Sequence, residues 1–296
     1  MFEPVDLTES TFKFVDNDDV SEPLPSAQLV DSFRRDGFVI IRNLFSAAEL
    51  AKITAGLEGC RGFWDASWVL KDTGGLTYSQ SGWNDPGRDV LGRVAGNAKT
   101  VGIAEQLLGE GELYLYNGKV IMKQAHTGGM VHWHQDYGYW YNNLAPFPYF
   151  VTCVVALTQS DRHNGGLRLL SGSHRAGRLE HVIRAGQTIA DPERVELLRE
   201  KLTTVCADLS PGDCLMFHVN MLHESSPNDS PNKRWHLIFS YNARCNSPPR
   251  RHYNACYGEY QLHRFDAHAV KQCTDWTVHP RQYVDPNANP NLNLNA

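Results

Sequence analysis

The sequence lacks a pattern of paired cysteines. It contains seven cysteines, an odd number, and no two of them are spaced as C-x-x-C. This usage argues against a disulfide framework and against a zinc knuckle, and it fits a reducing compartment. The first ten residues, M-F-E-P-V-D-L-T-E-S, contain neither the basic segment nor the apolar segment of a secretory signal. We therefore expect a cytoplasmic protein.

Long apolar runs and long basic runs are also missing. No apolar stretch approaches the length that spans a bilayer, so we expect no membrane partner. The net charge of −5 and the absence of a basic run argue against nucleic acid as the main partner. The partner class that remains is a small-molecule substrate, and the sequence leaves a homodimer open.

Length and composition are those of one soluble domain. The chain has 296 residues, of which 42% are hydrophobic and 21% are charged, and this length is enough to bury a substantial core. We expect a single domain over residues 1–296. Its expected parts are an extended lead-in at 1–26, helical support and loops at 27–110, a β-helix core at 111–245, and an irregular tail at 246–296 that ends in disorder at 285–296.

Hydrophobic periodicity predicts helices early in the chain and strands later. Helices are predicted at 27–36, 47–57, 98–108 and 191–201, with loops and short pieces at 58–100. Strands are predicted at 38–41, 113–124, 130–137, 149–157, 167–170, 202–209, 214–219 and 234–242, and Asn117-Gly118 is a candidate hairpin turn within the second. Short strands with regular turns predict an α+β fold that is mainly β: a double-stranded β-helix (jelly-roll, cupin-like) core buttressed by N-terminal helices.

The stretch M-V-H-W-H-Q-D-Y-G-Y-W-Y at 130–141 combines metal-binding residue types. If it is a strand, His134 and Asp136 project from the same face, one pleat apart. They would supply two-thirds of a 2-His-1-carboxylate triad, the arrangement typical of non-haem Fe(II) oxygenases. His223 is our candidate for the missing histidine. His132 shares the face of His134 in a regular strand, so an H-x-H-x-D cluster stays open.

The last predicted strand has one polar and one apolar face. Arg234, His236, Ser240 and Asn242 alternate with apolar residues that are plainly core. The polar face fits either a solvent-facing edge or the interior of a barrel that holds a polar ligand. An arginine at the start of such a face is suited to bind a carboxylate through two parallel hydrogen bonds.

Several pieces of the sequence occur in an order that resembles one known family. His134, Asp136, His223, Ser225 and Arg234 follow one another along the chain. The further pieces are D-G-F-V at 36–39, W-H-Q-D at 133–136, N-G-G-L at 164–167, S-G-S-H at 171–174 and P-G-D at 211–213. Together they resemble the phytanoyl-CoA dioxygenase family of iron(II)- and 2-oxoglutarate-dependent oxygenases, and within it the ectoine hydroxylases. The resemblance spans roughly residues 28–245.

The resemblance implies a role for each matching residue. It implies that His134, Asp136 and His223 bind Fe(II), that Arg234 and Ser225 hold the distal carboxylate of 2-oxoglutarate, and that Asn117 contacts the cosubstrate. It also implies that Trp140 lies on the substrate side of the site. From the residues themselves we add Tyr137, which belongs to the aromatic stretch beside the proposed metal, and His132 as further candidates for the pocket wall.

The chemistry that the resemblance implies is oxidative. O₂ and 2-oxoglutarate would be consumed, succinate and CO₂ released, and a small organic substrate hydroxylated, with ascorbate as a reductant in vitro. Related halogenases have a small residue in place of the carboxylate ligand, so the presence of Asp136 favours hydroxylation. Two alternatives stay open: a cupin-like metal lyase or isomerase that does not use 2-oxoglutarate, and a non-catalytic binding protein on the same fold.

Overall fold

The structure, a computed structural model, describes residues 7–14, 27–72, 74–83, 87–184, 187–249, 259–274 and 278. Its helices lie mostly before the sheets that carry the site. They are α1 (Ala27–Asp36), α2 (Ala47–Gly59), α3 (Arg61–Asp65), α4 (Val90–Ala95), α5 (Ala98–Leu108), α6 (Asp136–Trp140) and α7 (Pro192–Arg199). None of these described helices combines the length and the apolar character needed to cross a bilayer.

The strands form a large sheet, a small sheet and a hairpin. They are β1 (Thr11–Lys13), β2 (Phe38–Arg42), β3 (Trp68–Lys71), β4 (Thr77–Gly82), β5 (Leu113–Lys123), β6 (Val131–His134), β7 (Phe150–Ala156), β8 (Leu167–Leu170), β9 (His181–Arg184), β10 (Gln187–Ala190), β11 (Thr204–Ala207), β12 (Cys214–His218), β13 (His223–Ser225) and β14 (Arg234–Ala243). The large sheet has the order β1-β2-β12-β7-β14-β5-β4-β3, and the small sheet has the order β11-β8-β13-β6.

The large sheet is buried on both faces, and the alternation of side chains along each strand divides its core in two. On β2, Phe38 and Ile40 pack with Leu169 of the small sheet, whereas Val39 and Ile41 pack with the helices. Each such side chain stabilises the fold by about 1.5–3 kcal/mol when it leaves water. The result is a jelly roll with helices against its outer face, and the predicted fold class is confirmed.

The helical support is fixed by buried polar contacts as well as by packing. Ser46 and Glu49 form a capping box at the start of α2, with the Ser46 N–H donating to Glu49 Oε2 at 2.8 Å. The buried Lys99 ammonium of α5 lies 2.8 Å from Glu49 Oε1. Because one carboxylate serves both helices, α2 and α5 are held in one arrangement against the sheet.

Two strand predictions need correction. The chain does not turn at Asn117-Gly118, since β5 runs unbroken through this pair. Gly118 instead lets β4 approach closely, because a Cβ there would collide with the carbonyl oxygen of Trp83, whose N–H donates to the Gly118 carbonyl at 2.6 Å. The region predicted as loops and short pieces contains β3 and β4, a hairpin that extends the large sheet beside β5.

The two ends of the chain are described only in part. In the lead-in, β1 pairs in parallel with β2. In the tail, Tyr260 forms an antiparallel bridge to Leu115, and the Cys60 thiol donates to the Val278 carbonyl at 2.9 Å. The predicted disorder at 285–296 lies outside the described residues, and a single domain over the whole chain stays a prediction.

Candidate metal and cosubstrate site

Two side chains that are close in sequence, His134 and Asp136, meet the distant His223 at one end of the jelly roll. Strands β6 and β13 pair in antiparallel fashion with His223 opposite His134, and the two ring centroids are 4.1 Å apart. The Nε2 atoms of His134 and His223 lie 3.9 and 4.0 Å from Asp136 Oδ1. One ligand atom from each residue lies within 4.8 Å of the other two. This spacing fits three ligands that share one metal ion.

Each histidine is oriented by a backbone carbonyl. The Nδ1 atom of His134 lies 2.8 Å from the His132 carbonyl, and that of His223 lies 3.0 Å from the Met221 carbonyl. A carbonyl can only accept, so each neutral ring carries its hydrogen on Nδ1 and presents the lone pair of Nε2. Fixing the ring through its other nitrogen is a common support for metal-binding histidines.

The electrostatics of the triad favour the charge states that a metal needs. Burial lowers the pKa of His134 to about 3, with His223 adding to the effect, and burial also lowers the pKa of His223. Burial alone would raise the pKa of Asp136, but His223, Lys119 and His134 outweigh it, and the pKa of the carboxyl is lowered. At neutral pH the site therefore offers two neutral imidazoles and one carboxylate.

The route to Asp136 differs from the predicted one. Strand β6 ends at His134, and Asp136 is the first residue of α6. The Gln135 side chain fixes this change of direction, because its amide accepts from the Leu179 N–H at 2.7 Å and donates to the Asn220 carbonyl at 2.7 Å. The predicted strand at 130–137 is present at Val131–His134 but was extended too far, although its conclusion that His134 and Asp136 lie side by side is confirmed by the geometry.

Tyr139 and Thr152 hold the Asp136 carboxylate, and neither was predicted from the sequence. The Tyr139 hydroxyl donates to Oδ1 at 2.8 Å, and the Thr152 hydroxyl donates to Oδ2 at 3.0 Å. Tyr139 reaches the carboxylate because residues three apart are neighbours on a helix. A helix starting at Asp136 would have pointed to it, whereas the strand interpretation did not.

The triad opens into a cavity of about 160 Å³ that leads to a cluster of buried cations. Arg234 is 1% exposed and Lys123 is 0% exposed, and they face each other across β14 and β5. Burial lowers the pKa of Arg234 to about 9 and, together with Arg234, lowers that of Lys123. Within the described ranges neither cation forms an ion pair with a carboxylate. Apolar side chains line the cavity between the two ends: Ile121, Val154, Leu167, Phe217 and Ile238.

Of the predicted cosubstrate residues, Arg234 and Ser225 lie at this cationic end, whereas Asn117 lies towards the metal end. Ser225 lines the cavity beside Arg234, and its Oγ accepts from Lys123 Nζ at 2.9 Å. Asn117 lies on the cavity-facing side of β5, two residues from Lys119 and opposite Ser240, at 7% exposure. The polar face of the last strand is therefore the interior of the barrel and not a solvent edge.

The three residues expected on the substrate side do not line the cavity, and their placement is corrected. Trp140 and Tyr137 are 1% and 4% exposed and pack in an aromatic cluster with Tyr116 and Phe150. His132 lines a separate hollow with Trp133, because the pairing of β6 with β13 is irregular between Val131 and His134. Lining residues that were not predicted include Tyr78 and Gln80 from the missed β3–β4 hairpin, and Lys119, His236 and Gln187.

A jelly roll that brings two histidines and a carboxylate to one end of a cavity, with a buried arginine at the other, defines a mononuclear non-haem metal enzyme. Comparison with known proteins places it more narrowly. The profile of the family described as Phytanoyl-CoA dioxygenase (PhyH) matches residues 33–235. The chain belongs to this family. The predicted class, an iron(II)- and 2-oxoglutarate-dependent dioxygenase that uses O₂, is confirmed, which leaves the lyase and binding-protein alternatives without support.

Individual relatives agree with the family. The chain is similar to the ectoine dioxygenase of Stutzerimonas stutzeri (strain A1501), with 31% identity over 234 residues, 73% of this chain and 76% of that protein. It is also similar to the L-proline trans-4-hydroxylase of Streptomyces griseoviridis, with 30% identity over 77% of this chain and 90% of that protein. The crystal structure of apo EctD from S. alaskensis has the same fold, with a TM-score of 0.66, 22% identity, and coverage of 89% of this chain and 93% of that chain.

Proposed function

We propose that this enzyme hydroxylates a small carboxylic acid, with Fe(II) held by His134, Asp136 and His223 and with 2-oxoglutarate held at its distal end by Arg234 and Ser225. The observation that carries the proposal is the shared cavity: the triad and the buried guanidinium are among the residues that line it. A keto diacid needs both ends, because its keto acid chelates a metal while its far carboxylate requires a cation.

The donor set fits Fe(II), because two imidazoles and one carboxylate on one side leave coordination positions open for other ligands. When bound, Fe(II) and 2-oxoglutarate supply the oxidation by O₂ that yields succinate, CO₂ and an oxygen atom for a substrate C–H bond. The chain supplies position and a dry environment. Its apolar wall, which includes Val154 and Phe217, keeps water away from the reacting groups.

Lys123 prepares Ser225 to act as a donor. The Lys123 ammonium has three hydrogens and three nearby acceptors: Ser225 Oγ at 2.9 Å, the Ser225 carbonyl at 3.3 Å, and the Ser226 carbonyl. A bound carboxylate favours the protonated form of the Lys123 amine, and an ammonium can only donate, so Ser225 Oγ then accepts from it and keeps its own hydrogen free. That hydrogen is available for the distal carboxylate, beside the guanidinium of Arg234.

Lys119 supports the substrate class. It lines the cavity close enough to the triad to lower the pKa of both Asp136 and His223. Within the described part of the chain it forms no ion pair, so its ammonium is available to a ligand. The names of the two relatives, an ectoine dioxygenase and an L-proline hydroxylase, denote enzymes for small carboxylates. A substrate carboxylate facing Lys119 would place a nearby C–H bond beside the metal.

The test begins with the wild-type enzyme under anaerobic conditions. Calorimetry should show that 2-oxoglutarate binds only when Fe(II) is present, and oxygenated mixtures with ascorbate should form succinate slowly without substrate. Small amino and imino acids should then accelerate succinate formation, whereas their methyl esters should not. Binding of 2-oxoglutarate that does not depend on metal, or equal turnover of acids and esters, would contradict the proposal.

A further inference from the structure

We propose that His236 donates a hydrogen bond to the distal carboxylate of 2-oxoglutarate through Nε2, and that Arg234 fixes the imidazole tautomer which makes this possible. The inference rests on the proposed function, because it assigns a third donor to the same cosubstrate. It adds a specificity residue to the pair already assigned, Arg234 and Ser225.

The tautomer follows from one contact. Arg234 Nη1 lies 3.0 Å from His236 Nδ1, and both side chains are buried. A guanidinium has five donor hydrogens and no acceptor, so Nδ1 must accept. Burial, together with the charges of Arg234 and Lys123, lowers the pKa of His236, so the ring is neutral. A neutral ring whose Nδ1 accepts carries its only hydrogen on Nε2.

That hydrogen has no acceptor among the described residues. His236 is 0% exposed, its Nε2 has no hydrogen-bond partner in the described part of the chain, and the side chain lines the cavity. The Nε of Arg234 is buried and, within the same residues, also has no partner. Two buried donors beside one another, with no acceptor in reach, are costly unless a ligand supplies the acceptor. Two unpaired donors on contacting side chains, one of them part of a guanidinium, fit an anion.

The position of His236 along β14 identifies which ligand group this is. His236 is one pleat from Arg234 on the same face, and Arg234 is opposite Lys123. The metal end of this face is marked by Ser240, which contacts Thr152, the residue that holds Asp136. Four residues of strand, roughly 13 Å, separate His236 from Ser240. His236 therefore belongs to the end that receives the distal carboxylate.

Three variants separate a direct donor from a support for Arg234. In His236→Asn, Oδ1 can take the place of Nδ1 and accept from Arg234, but the donor at Nε2 is gone. In His236→Gln, the amide nitrogen can reach the position of Nε2 and restore the donor. Arg244→Met is the matched control, since this arginine is bonded to Glu259 and lies away from the cavity.

Anaerobic calorimetry with Fe(II)-loaded protein measures binding of two probes, 2-oxoglutarate and 2-oxopentanoate, which lacks the distal carboxylate. We expect His236→Asn to bind 2-oxoglutarate roughly tenfold more weakly, as for one lost hydrogen bond to a charged group, and 2-oxopentanoate as wild type does. His236→Gln should regain most of the loss. Unchanged 2-oxoglutarate binding in His236→Asn, or an equal loss for both probes, would overturn the inference.

A measurement on the unmutated enzyme keeps the inference testable if a variant does not fold. Protein labelled with ¹⁵N-histidine and loaded with diamagnetic Zn²⁺ should show His236 as the Nε2–H tautomer in long-range ¹H–¹⁵N spectra. The Nε2 proton should move downfield when 2-oxoglutarate is added. An Nδ1–H tautomer or a proton that does not move would refute the inference, whereas failure of wild type to bind 2-oxoglutarate at all would refute the proposed function first.

Discussion

The two ends of the cavity make opposite demands on a ligand. The metal end presents acceptors: the Nε2 lone pairs of His134 and His223 and the Asp136 carboxylate. The far end presents donors, which are the guanidinium of Arg234 and the Nε2–H of His236. Once the acceptors hold a metal ion, a ligand satisfies both ends only if it has a metal-chelating group at one end and an anionic group at the other. The difference teaches that the cavity selects by the distance between two functional groups.

The two ends also come from different parts of the fold. The metal ligands lie on β6 and β13 of the small sheet and at the start of α6, whereas Arg234 and Lys123 lie on β14 and β5 of the large sheet. Strand β13 carries both His223 and Ser225, but Arg234 and Lys123 lie on strands that hold no metal ligand, so changes to these two cations should leave the metal end intact. The predictions below use this independence.

The largest effect is expected at the metal end. Asp136→Ala should lower iron retention by at least a hundredfold, because it removes the one anionic ligand and leaves two neutral imidazoles. Metal content after dialysis, measured by mass spectrometry, checks this. His132→Ala is the matched control and should retain iron as wild type does, since His132 lies outside the cavity. If it loses iron as well, the triad has been assigned to the wrong histidine.

Arg234→Met should give the reverse result. The variant should retain iron but bind 2-oxoglutarate about 30- to 160-fold more weakly, as when a buried charge partner costs about 2–3 kcal/mol. Arg234→Lys keeps the charge without the planar fork, so its affinity for 2-oxoglutarate should lie between those of the wild type and Arg234→Met. Anaerobic calorimetry gives both affinities. Loss of iron in Arg234→Met would show that the ends are not independent.

A smaller effect is expected at Lys123. Lys123→Met should weaken 2-oxoglutarate binding several-fold, because the Ser225 hydroxyl is no longer held as a donor. If Lys123 acts through Ser225, Lys123→Met should have little further effect in protein that already carries Ser225→Ala. The comparison is a double-mutant cycle of binding free energies. Additive effects would instead assign Lys123 a direct electrostatic role.

The smallest effect concerns stability and a histidine away from both ends. Burial lowers the pKa of His218 to about 3, against about 6.5 in an unfolded chain. Between these values the unfolded chain binds a proton that the folded protein does not, so stability is present above pH 6.5 and falls as the pH drops towards 3. His218→Asn should reduce this slope by at most about 1.4 kcal/mol per pH unit. Urea unfolding of metal-free protein across this range measures it, and an unchanged slope would contradict the expectation.

Sequence reasoning identified the triad because histidine and aspartate are typical metal ligands and because the order of these residues along the chain resembles that of a known family. It placed α1 with its observed bounds, because helix ends follow local rules. It did not identify Tyr139, because the turn into α6 depends on contacts of Gln135 with residues more than 40 positions away. Such contacts leave no local pattern.

The substrate wall was the least predictable part. Trp140 is next to the metal ligands in sequence, but the helix carries it into the aromatic cluster, whereas Tyr78 and Gln80 reach the cavity from a hairpin some 55 positions earlier. Alternating strand faces did predict the inward side of β14. A wall assembled from strands that are neighbours only in the sheet requires the topology to be known first.

The side-chain amide of Gln187 fastens three segments of chain together. Its Nε2 donates to the carbonyls of Lys71 and Met130, its Oε1 accepts from the His132 N–H, and the residue lines the cavity. The strand that carries His134 is thus tethered to both hairpins at the rim. A different hairpin grafted onto this rim to change the substrate would need to retain Gln187. Without it, the backbone at His132 would lose its anchor, and the His134 imidazole two residues further along would be less well fixed.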